Sequence, residues 1–494
     1  MWRDAAVVSE RTVRPVQPRL RVLGRCLNTI RPVHRPPLAA LAAAVLVLAL
    51  ALAAAPAGAQ GPKPTVAGEL DRLLAAGAID QGHRDQWQTT WSEANRTLAR
   101  LRGARRDNLK AVVATTTRIA ESGSLTATRA PAVFLTLQRN REWWASRPLL
   151  PAGRRVSFPG SGLVWQAYAG QGIQIQWLGT FGKANGLFLG RGHDAELAAL
   201  LDEAIALATQ RAGGIAWEYL FPFDGGSPPW ASGLAQGTGI QALSRAASRL
   251  NEPRYFEAAR AALGIFRQPP PEGVRVATPA GAHYLQYSFG PDLRILNGFV
   301  QALNGLHDFT ILANDPEGAA LFSAGEAQLR AELPTDDTGV WSLYRPGFEA
   351  DLHYHRLAVE FLRALCSRLT IDAQRGRPAP EPSVYCSTAD RFTAYEKVAP
   401  ALALLPPART WRARRSEKLA FTLTKISNVT LTLRRDGRTV FARTQRFGRG
   451  TQAFTVRPSE PGALAADVRA VDLVGNVAAP AATTLPVRRA PKRR

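Results

Sequence analysis

Between His283 and Phe361 the sequence concentrates side chains that can move protons. Four of its nine tyrosines lie there, Tyr284, Tyr287, Tyr344 and Tyr354, interleaved with Arg294, Arg345, His353, His355 and Arg356. A phenol ionises near pH ~10, and neighbouring positive charge lowers that value because it favours the phenolate. A tyrosine in such a setting can transfer protons near neutrality. The same residue types also serve as half-buried packing groups with one wet end, so placement decides between the two roles.

Two hairpins and a series of helices have to position these groups. Alternation over Leu163 to Tyr168 and Ile173 to Trp177, with AGQG between, predicts a β-hairpin that brings Trp165, Tyr168, Trp177 and Lys183 to the mouth of a site. A second hairpin is expected in GVRVATPAGAHYLQYS, with Tyr284 and Gln286 on one face and Leu285 and Tyr287 on the other. Apolar faces at helical spacing recur at Leu197–Ala208, Ile240–Leu250, Phe256–Phe266, Ile295–Leu306 and Leu357–Leu365. Helices in successive pairs with functional loops at one end predict a mainly α fold, an α/α toroid or incomplete α/α barrel over 151–375 with β-hairpins at its mouth. Residues 60–150 read as a helical lead-in and 376–410 as a proline-rich linker. From 411 to 494, short alternating strands with Asp436-Gly437 as a hairpin turn predict an immunoglobulin-like or fibronectin-like β-sandwich ending in a basic tail.

The 494 residues are 46% hydrophobic and 20% charged, an ordered globular composition that argues against disorder. A formal charge of +23 favours an anionic partner, for which acidic polysaccharide, membrane surface and nucleic acid are the classes to weigh. No nucleic-acid-binding motif accompanies the charge, so nucleic acid is not expected. Eight arginines before residue 37, an uncharged run from Leu38 to Ala55 and the small residues Ala57-Gly58-Ala59 predict a secretory signal over 1–59. An uncleaved membrane anchor is the alternative. Either places the remainder outside the cytoplasm, secreted or attached to the cell surface. With Cys26 in that segment, Cys366 and Cys386 are left as a disulfide pair in an oxidising compartment. Their spacing fits no zinc pattern, and there is neither an HExxH motif nor a phosphate-cradling glycine loop, so no metal or cofactor is expected.

Four stretches carry a family resemblance in order: PPWASGLAQGTGIQALSRA at 228–246, LNGFVQALNGLHDF at 296–309, DTGVWSLY at 337–344 and HYHRLAVEFL at 353–362. Together they resemble the C-terminal catalytic region of the D-glucuronyl C5-epimerases, over roughly residues 155–370. The resemblance implies an α/α toroid that converts glucuronate to iduronate within heparan-type polysaccharide, and a homodimer carried over from members with similar cores. It implies catalytic roles for Tyr344, the tyrosine after the DTG motif, and for Tyr354, the tyrosine before a histidine. The family's glutamate, in a tyrosine-rich hairpin ahead of the LNGF helix, falls on Gln286, with Tyr287 following as a further catalytic candidate. Substrate-binding candidates are Gln286, Tyr284, Arg294, Asn297, Arg345 and His355, with the indoles of Trp217 and Trp230 as stacking surfaces.

The chemistry is coherent with those residue types. The C5 proton of a hexuronate lies beside a carboxylate and becomes removable once that charge is neutralised, so stabilising the enolate-like intermediate is the main requirement. Inversion then needs one group to take the proton and another to return one to the opposite face, which assigns Tyr344 and Tyr354 to the two sides of the ring. Arginine suits the carboxylate because it binds in a bidentate manner. Gln286 cannot accept a proton, so either a tyrosine has the base role or the activity is gone. Three readings follow: a uronate C5-epimerase, a polysaccharide lyase acting on the same proton, and a non-catalytic glycan-binding protein on an epimerase scaffold.

Overall fold

The computed structural model describes residues 63–490. The expected signal or anchor with Cys26, and the last four residues of the basic tail, lie outside that range. Among the described residues no helix is long and apolar enough to cross a membrane.

Four helices come first: α1 (Val66–Ala75), α2 (Gln81–Arg100), α3 (Gly103–Glu121) and α4 (Ala130–Ser146). Thr65 and Asp80 cap α1 and α2 by accepting from the amides of Gly68 and His83, and Pro131 sits in the first turn of α4, where no amide donor is needed. Leu70, Trp87, Leu109 and Phe134 from these helices belong to one hydrophobic core that continues as far as Phe392. The lead-in is therefore part of the main body and not a separately cored unit. Asn140 of α4 locks it in place: its amide nitrogen donates to the Ile173 carbonyl at 2.6 Å and its oxygen accepts from the Ile173 amide at 2.8 Å.

A three-stranded antiparallel sheet follows, β1 (Arg155–Val156), β2 (Trp165–Tyr168) and β3 (Gly172–Ile175). Then come α5 (Trp177–Leu189) and α6 (Asp194–Ala206), the short pairs β4 (Thr209–Arg211) with β5 (Gly214–Ala216) and β6 (Glu218–Tyr219) with β7 (Trp230–Ala231), and α7 (Gly233–Leu250). After α8 (Pro253–Ala261), α9 (Gly264–Arg267) and the hairpin β8 (Arg275–Ala277) with β9 (Ala282–Tyr284), the chain forms α10 (Leu296–Ala313) and α11 (Pro316–Glu332). The hairpin β10 (Leu343–Arg345) with β11 (Phe348–Glu349) leads to α12 (Leu352–Gln374) and α13 (Ser383–Tyr395). Helices α5, α7, α10 and α12 pack each on the next, while α6, α8, α11 and α13 each pack on one of them, giving an inner and an outer row.

The inner helices touch backbone to backbone. A Cβ on Gly237 of α7 would stand 2.6 Å from the Ala302 Cα of α10, and one on Gly305 would stand 1.9 Å from the Gly237 carbonyl oxygen. Only glycine fits at such a crossing, which accounts for the glycines in the LAQGTG and LNGLHDF stretches. Residues 376–410 are not the linker that their prolines suggest: α13 buries Tyr385 and Phe392 in the main core, and the Cys366–Cys386 disulfide ties it to α12. The overruling term is burial, since the apolar face of α13 at helical spacing outweighs the flanking prolines.

Beyond α13, two sheets enclose a second core. One orders β12 (Leu402–Leu404), β14 (Glu417–Leu423) and β17 (Gly450–Val456). The other orders β13 (Trp411–Arg412), β19 (Ala481–Arg488), β18 (Gly462–Asp472), β15 (Ser427–Arg435) and β16 (Arg438–Phe447). Phe421 and Phe454 of the first meet Leu431 and Val468 of the second in that core. Asp436 and Gly437 both have positive φ, as the two-residue turn between β15 and β16 requires.

Candidate active-site cleft

A cleft of about 1060 Å³, counting its open mouth, lies where the β1–β3 sheet, the β6–β7 pair, the loop after β9 and the N-terminal turns of α5, α7, α10 and α12 converge. Its aromatic wall is built by strand pairing. The β6–β7 ladder sets Tyr219 opposite Trp230, and their rings stack 4.3 Å apart at 12°. Phe221 lies 4.4 Å from Tyr168, and Tyr287 meets Trp230 edge-on at 5.6 Å. The Trp230 indole donates to the Phe221 carbonyl at 2.8 Å, so the wall is fixed by hydrogen bonding as well as by packing. Flat, rigid aromatic surfaces of this kind suit the apolar faces of a sugar ring.

The polar lining is neutral apart from one cation. Arg155 enters from β1, where burial pushes its guanidinium below its ordinary range and Tyr168 acts on it in the opposite direction. Among the described residues no Asp or Glu lines the cleft. The amides of Gln286, Asn297 and Gln301 and the hydroxyls of Ser232 and Thr238 supply the remaining polar contacts. Gln286 Nε2 donates to the Tyr287 hydroxyl oxygen at 2.8 Å. Gln286 Oε1 and Asn297 Oδ1 are buried and accept from no donor within the protein, which leaves both for a ligand's hydroxyls. Gly298, at the start of α10, gives Gln286 its room, since a Cβ there would come within 2.5 Å of Oε1.

Tyr354 lines the cleft from the first turn of α12, where its amide is held by the capping carboxylate of Asp351 at 2.9 Å. Tyr344 stands beside it on β10, with ring centroids 4.6 Å apart. Tyr344 falls at the register shift between Leu343↔Glu349 and Arg345↔Phe348, and such a bulge re-aims a side chain. The arrangement corrects the expectation that Tyr344 and Tyr354 flank a sugar from opposite sides. Rings in direct contact leave no space for a third ring between them, which would need about 7 Å. Tyr168, Tyr219 and Tyr287 line the same cleft from other elements than Tyr354, and of these Tyr287 is the one that accepts from the Gln286 amide.

Other expected contacts are corrected by burial. Tyr284 is fully buried, donates to the Leu321 carbonyl at 2.7 Å and is pushed well above its usual range by desolvation. His355 lies under Trp341 with its ring 3.6 Å away. Its Nε2 donates to the Phe392 carbonyl at 2.9 Å, Nδ1 pairs with the Ser342 hydroxyl at 2.7 Å, and burial lowers its pKa. Trp217 is core, bonded to the Ala204 carbonyl. Arg294 points to Glu332 at 4.0 Å, and Arg345 lies over the Phe348 ring at 3.6 Å; neither lines the cleft. Gln286 and Tyr287 both reach it because β9 ends at Tyr284 and strand alternation ends with it. In the first hairpin, alternation sends Trp165 into the core and Tyr168 to the cleft; Trp177 is also buried, and Lys183 donates to the Gly162 carbonyl at 2.7 Å.

Arg155, Gln176, Tyr219 and Gln301 were not singled out from sequence. Arg155 heads a two-residue strand amid a basic composition and carries no motif. Tyr219 could have been found from its place between Trp217 and Phe221, a run of alternating aromatics in WEYLF. Among the described residues no group of three or more His, Cys, Asp or Glu side chains is arranged to hold a metal ion.

Comparison with known proteins bears on the helical half of this site. Over 130 residues the chain is 35% identical to D-glucuronyl C5-epimerase of Caenorhabditis elegans, covering 24% of this chain and 21% of that one. Over 159 residues it is 27% identical to an uncharacterized protein of Methanocaldococcus jannaschii, covering 30% and 52% of the two chains. Among solved structures, a sugar epimerase from a ruminal bacterium aligns with 45% of this chain and 59% of its own, at 12% identity and a TM-score of 0.32. The chain thus spans about a fifth and about half of the lengths of the two curated relatives. The match that coincides with α7 through α12, and so with Trp230, Gln286, Tyr287, Asn297, Tyr344 and Tyr354, is to a family model: residues 212–374 match the family described as D-glucuronyl C5-epimerase C-terminus.

Proposed function

We propose that this protein epimerises hexuronate residues at C5 within an acidic polysaccharide outside the cytoplasm, and that the two rows of helices form an arc of an α/α toroid with the cleft at its mouth. The composition of the cleft carries this reading. Its ionisable lining consists of tyrosines and one arginine, with no carboxylate among the described residues. A glycoside hydrolase of the usual two-carboxylate kind has no acid–base pair in such a lining. Phenols with a desolvated cation match proton removal next to a carboxylate.

In this reading Arg155 holds the uronate carboxylate and lowers the cost of charge developing on it as the C5 proton leaves. Tyr354 and Tyr287 exchange protons with C5 from two different elements, and Tyr344 supports Tyr354 by ring contact. Gln286 contributes through the amide hydrogen bond it gives to the Tyr287 oxygen, which favours the phenolate form of that residue. The Cys366–Cys386 disulfide supports an oxidising compartment. The C-terminal sheets fit an immunoglobulin-like accessory module.

The test is incubation of the full chain with an unsulfated glucuronate-containing polymer in heavy water. Deuterium should enter C5 of chains that keep their length, and Tyr354→Phe should abolish the exchange while retaining affinity for the polymer. Shortened chains with unsaturated, ultraviolet-absorbing ends would establish the lyase outcome at the same proton. A second reading, a glycan-binding protein, is favoured by Gln286 at the position implied for a glutamate; it requires polymer binding with no C5 exchange in the unaltered protein.

A further inference from the structure

The β10–β11 hairpin that carries Tyr344 has five residues in its two strands, and a ladder that short is marginal without external support. Within the helical domain the Ala350 amide donates to the Ser342 carbonyl at 3.0 Å and the Trp341 indole to the Ala350 carbonyl at 2.8 Å, and further support comes from the C-terminal sheets. Glu349 of β11, paired with Leu343 next to Tyr344, sends its carboxylate across the domain junction. One oxygen accepts from the Ile426 amide at 2.9 Å and the other from the Arg449 amide at 2.6 Å. A second chain of contacts runs from the same side to His355, the neighbour of Tyr354. Lys425 is buried in an ion pair with Asp472 at 2.6 Å, donates to the carbonyls of Tyr395 and Val398, and lies over the Trp341 ring at 5.1 Å. Trp341 in turn stacks on His355, the residue after Tyr354. Tyr344 thus lies between two residues that touch the C-terminal domain, Trp341 and Glu349, and Tyr354 is linked to that domain through His355 and Trp341.

We infer that the C-terminal sheets are a working part of the active site, with Glu349 the positioning residue through which they hold the Tyr344–Tyr354 pair in register with the cleft. The catalytic meaning of this inference rests on the C5-epimerase reading, whereas the mechanical one does not. Two backbone donors converging on one carboxylate define its position more tightly than a surface ion pair, because backbone amides lack the side-chain freedom that weakens such pairs.

The experiment compares the full chain with Glu349→Ala and Glu349→Gln, measuring C5 deuterium exchange on an unsulfated heparan-type polymer and backbone hydrogen exchange by mass spectrometry. Glu349→Ala should lower kcat at least tenfold with KM within about twofold, and should speed amide exchange across 343–356 while leaving α10 at the wild-type rate. Glu349→Gln, which keeps one acceptor for the two amides, should fall between them and serves as the decisive variant if the alanine form does not fold. Wild-type kcat together with unchanged amide exchange at 343–356 overturns the inference. If the unaltered protein exchanges no deuterium at C5, the epimerase reading fails alone, and the amide exchange of the variants still decides whether Glu349 holds the hairpin.

Discussion

Replacing Arg155 by methionine separates a substrate anchor from a structural arginine. The guanidinium is half-buried, desolvation works against its charge, and among the described residues the cleft offers it no carboxylate. A cation held that way is a cost to the folded protein, one that a substrate carboxylate would relieve. Removing it should leave thermal stability unchanged or slightly raised. Catalysis should respond in the opposite direction. Charge-assisted hydrogen bonds are worth about 1.5–3 kcal/mol each, and losing a bidentate pair to the uronate should cost about 3 kcal/mol of transition-state binding, or about a hundredfold in kcat/KM. Arg155→Lys, which keeps the charge but loses the fork, should recover about half of that on a logarithmic scale. The assay is C5 exchange kinetics with calorimetric binding to the same polymer, alongside melting curves. A kcat/KM within about threefold of wild type, or a melting temperature lowered by several degrees, would refute the anchoring role.

Three further outcomes follow from other parts of the molecule. Burial, reinforced by Glu332, pushes the Asp336 carboxyl up to about 7. Between its unfolded value near 4 and that folded value only the native state keeps the proton, so stability is full below pH ~4 and falls as pH rises towards 7, by up to about 4 kcal/mol. Asp336→Asn should flatten that slope in urea titrations at successive pH values. Gly305→Ala should destabilise by at least about 3 kcal/mol or prevent folding, because its Cβ would meet the Gly237 carbonyl oxygen and neither helix backbone can retreat alone. Reducing Cys366–Cys386, which closes a separation of 20 residues, should cost about 3 kcal/mol in chemical denaturation, with α13 the first element to lose amide protection.

What could be read from sequence was whatever left a periodic or compositional trace. The inner helices did, because apolar faces recur at helical spacing, and so did the Asp436-Gly437 turn, because few residue pairs accept two positive φ values. The aromatic wall was half legible. Trp230 and Tyr168 were picked out by type, but strand parity decides which of two adjacent aromatics faces a cavity. The short strands here end within four residues, before parity can be extrapolated. That is why Tyr284 and Gln286, expected on one face, separate into core and cleft. His355 and Trp217 were misplaced for a different reason. Their polar atoms suggested a wet surface, yet buried hydrogen bonds to Phe392, Ser342 and Ala204 satisfy them fully.

Gln286 is where sequence and structure bear most directly on each other. A glutamate at this position would bring a negative charge to within hydrogen-bonding distance of the Tyr287 oxygen and, with Arg155, make the lining neutral overall. The amide instead donates to that oxygen and leaves Arg155 as the one fixed charge among the described lining residues. That composition is what the proposed carboxylate-bearing substrate would require. In the proposed reaction the proton donors and acceptors are phenols, and the Gln286 amide donates to one of them, Tyr287. On the proposed reading, glutamine at this position moves the base role to a tyrosine without removing the electrostatic requirement, because Arg155 is the residue assigned to neutralise the uronate. Gln286→Glu should accordingly shift the acidic limb of the pH–rate profile upward, because an added anion disfavours the Tyr287 phenolate that the base role requires. A profile that stays in place with a higher rate would mean that the carboxylate itself had taken over the proton, and that Tyr287 had never carried it.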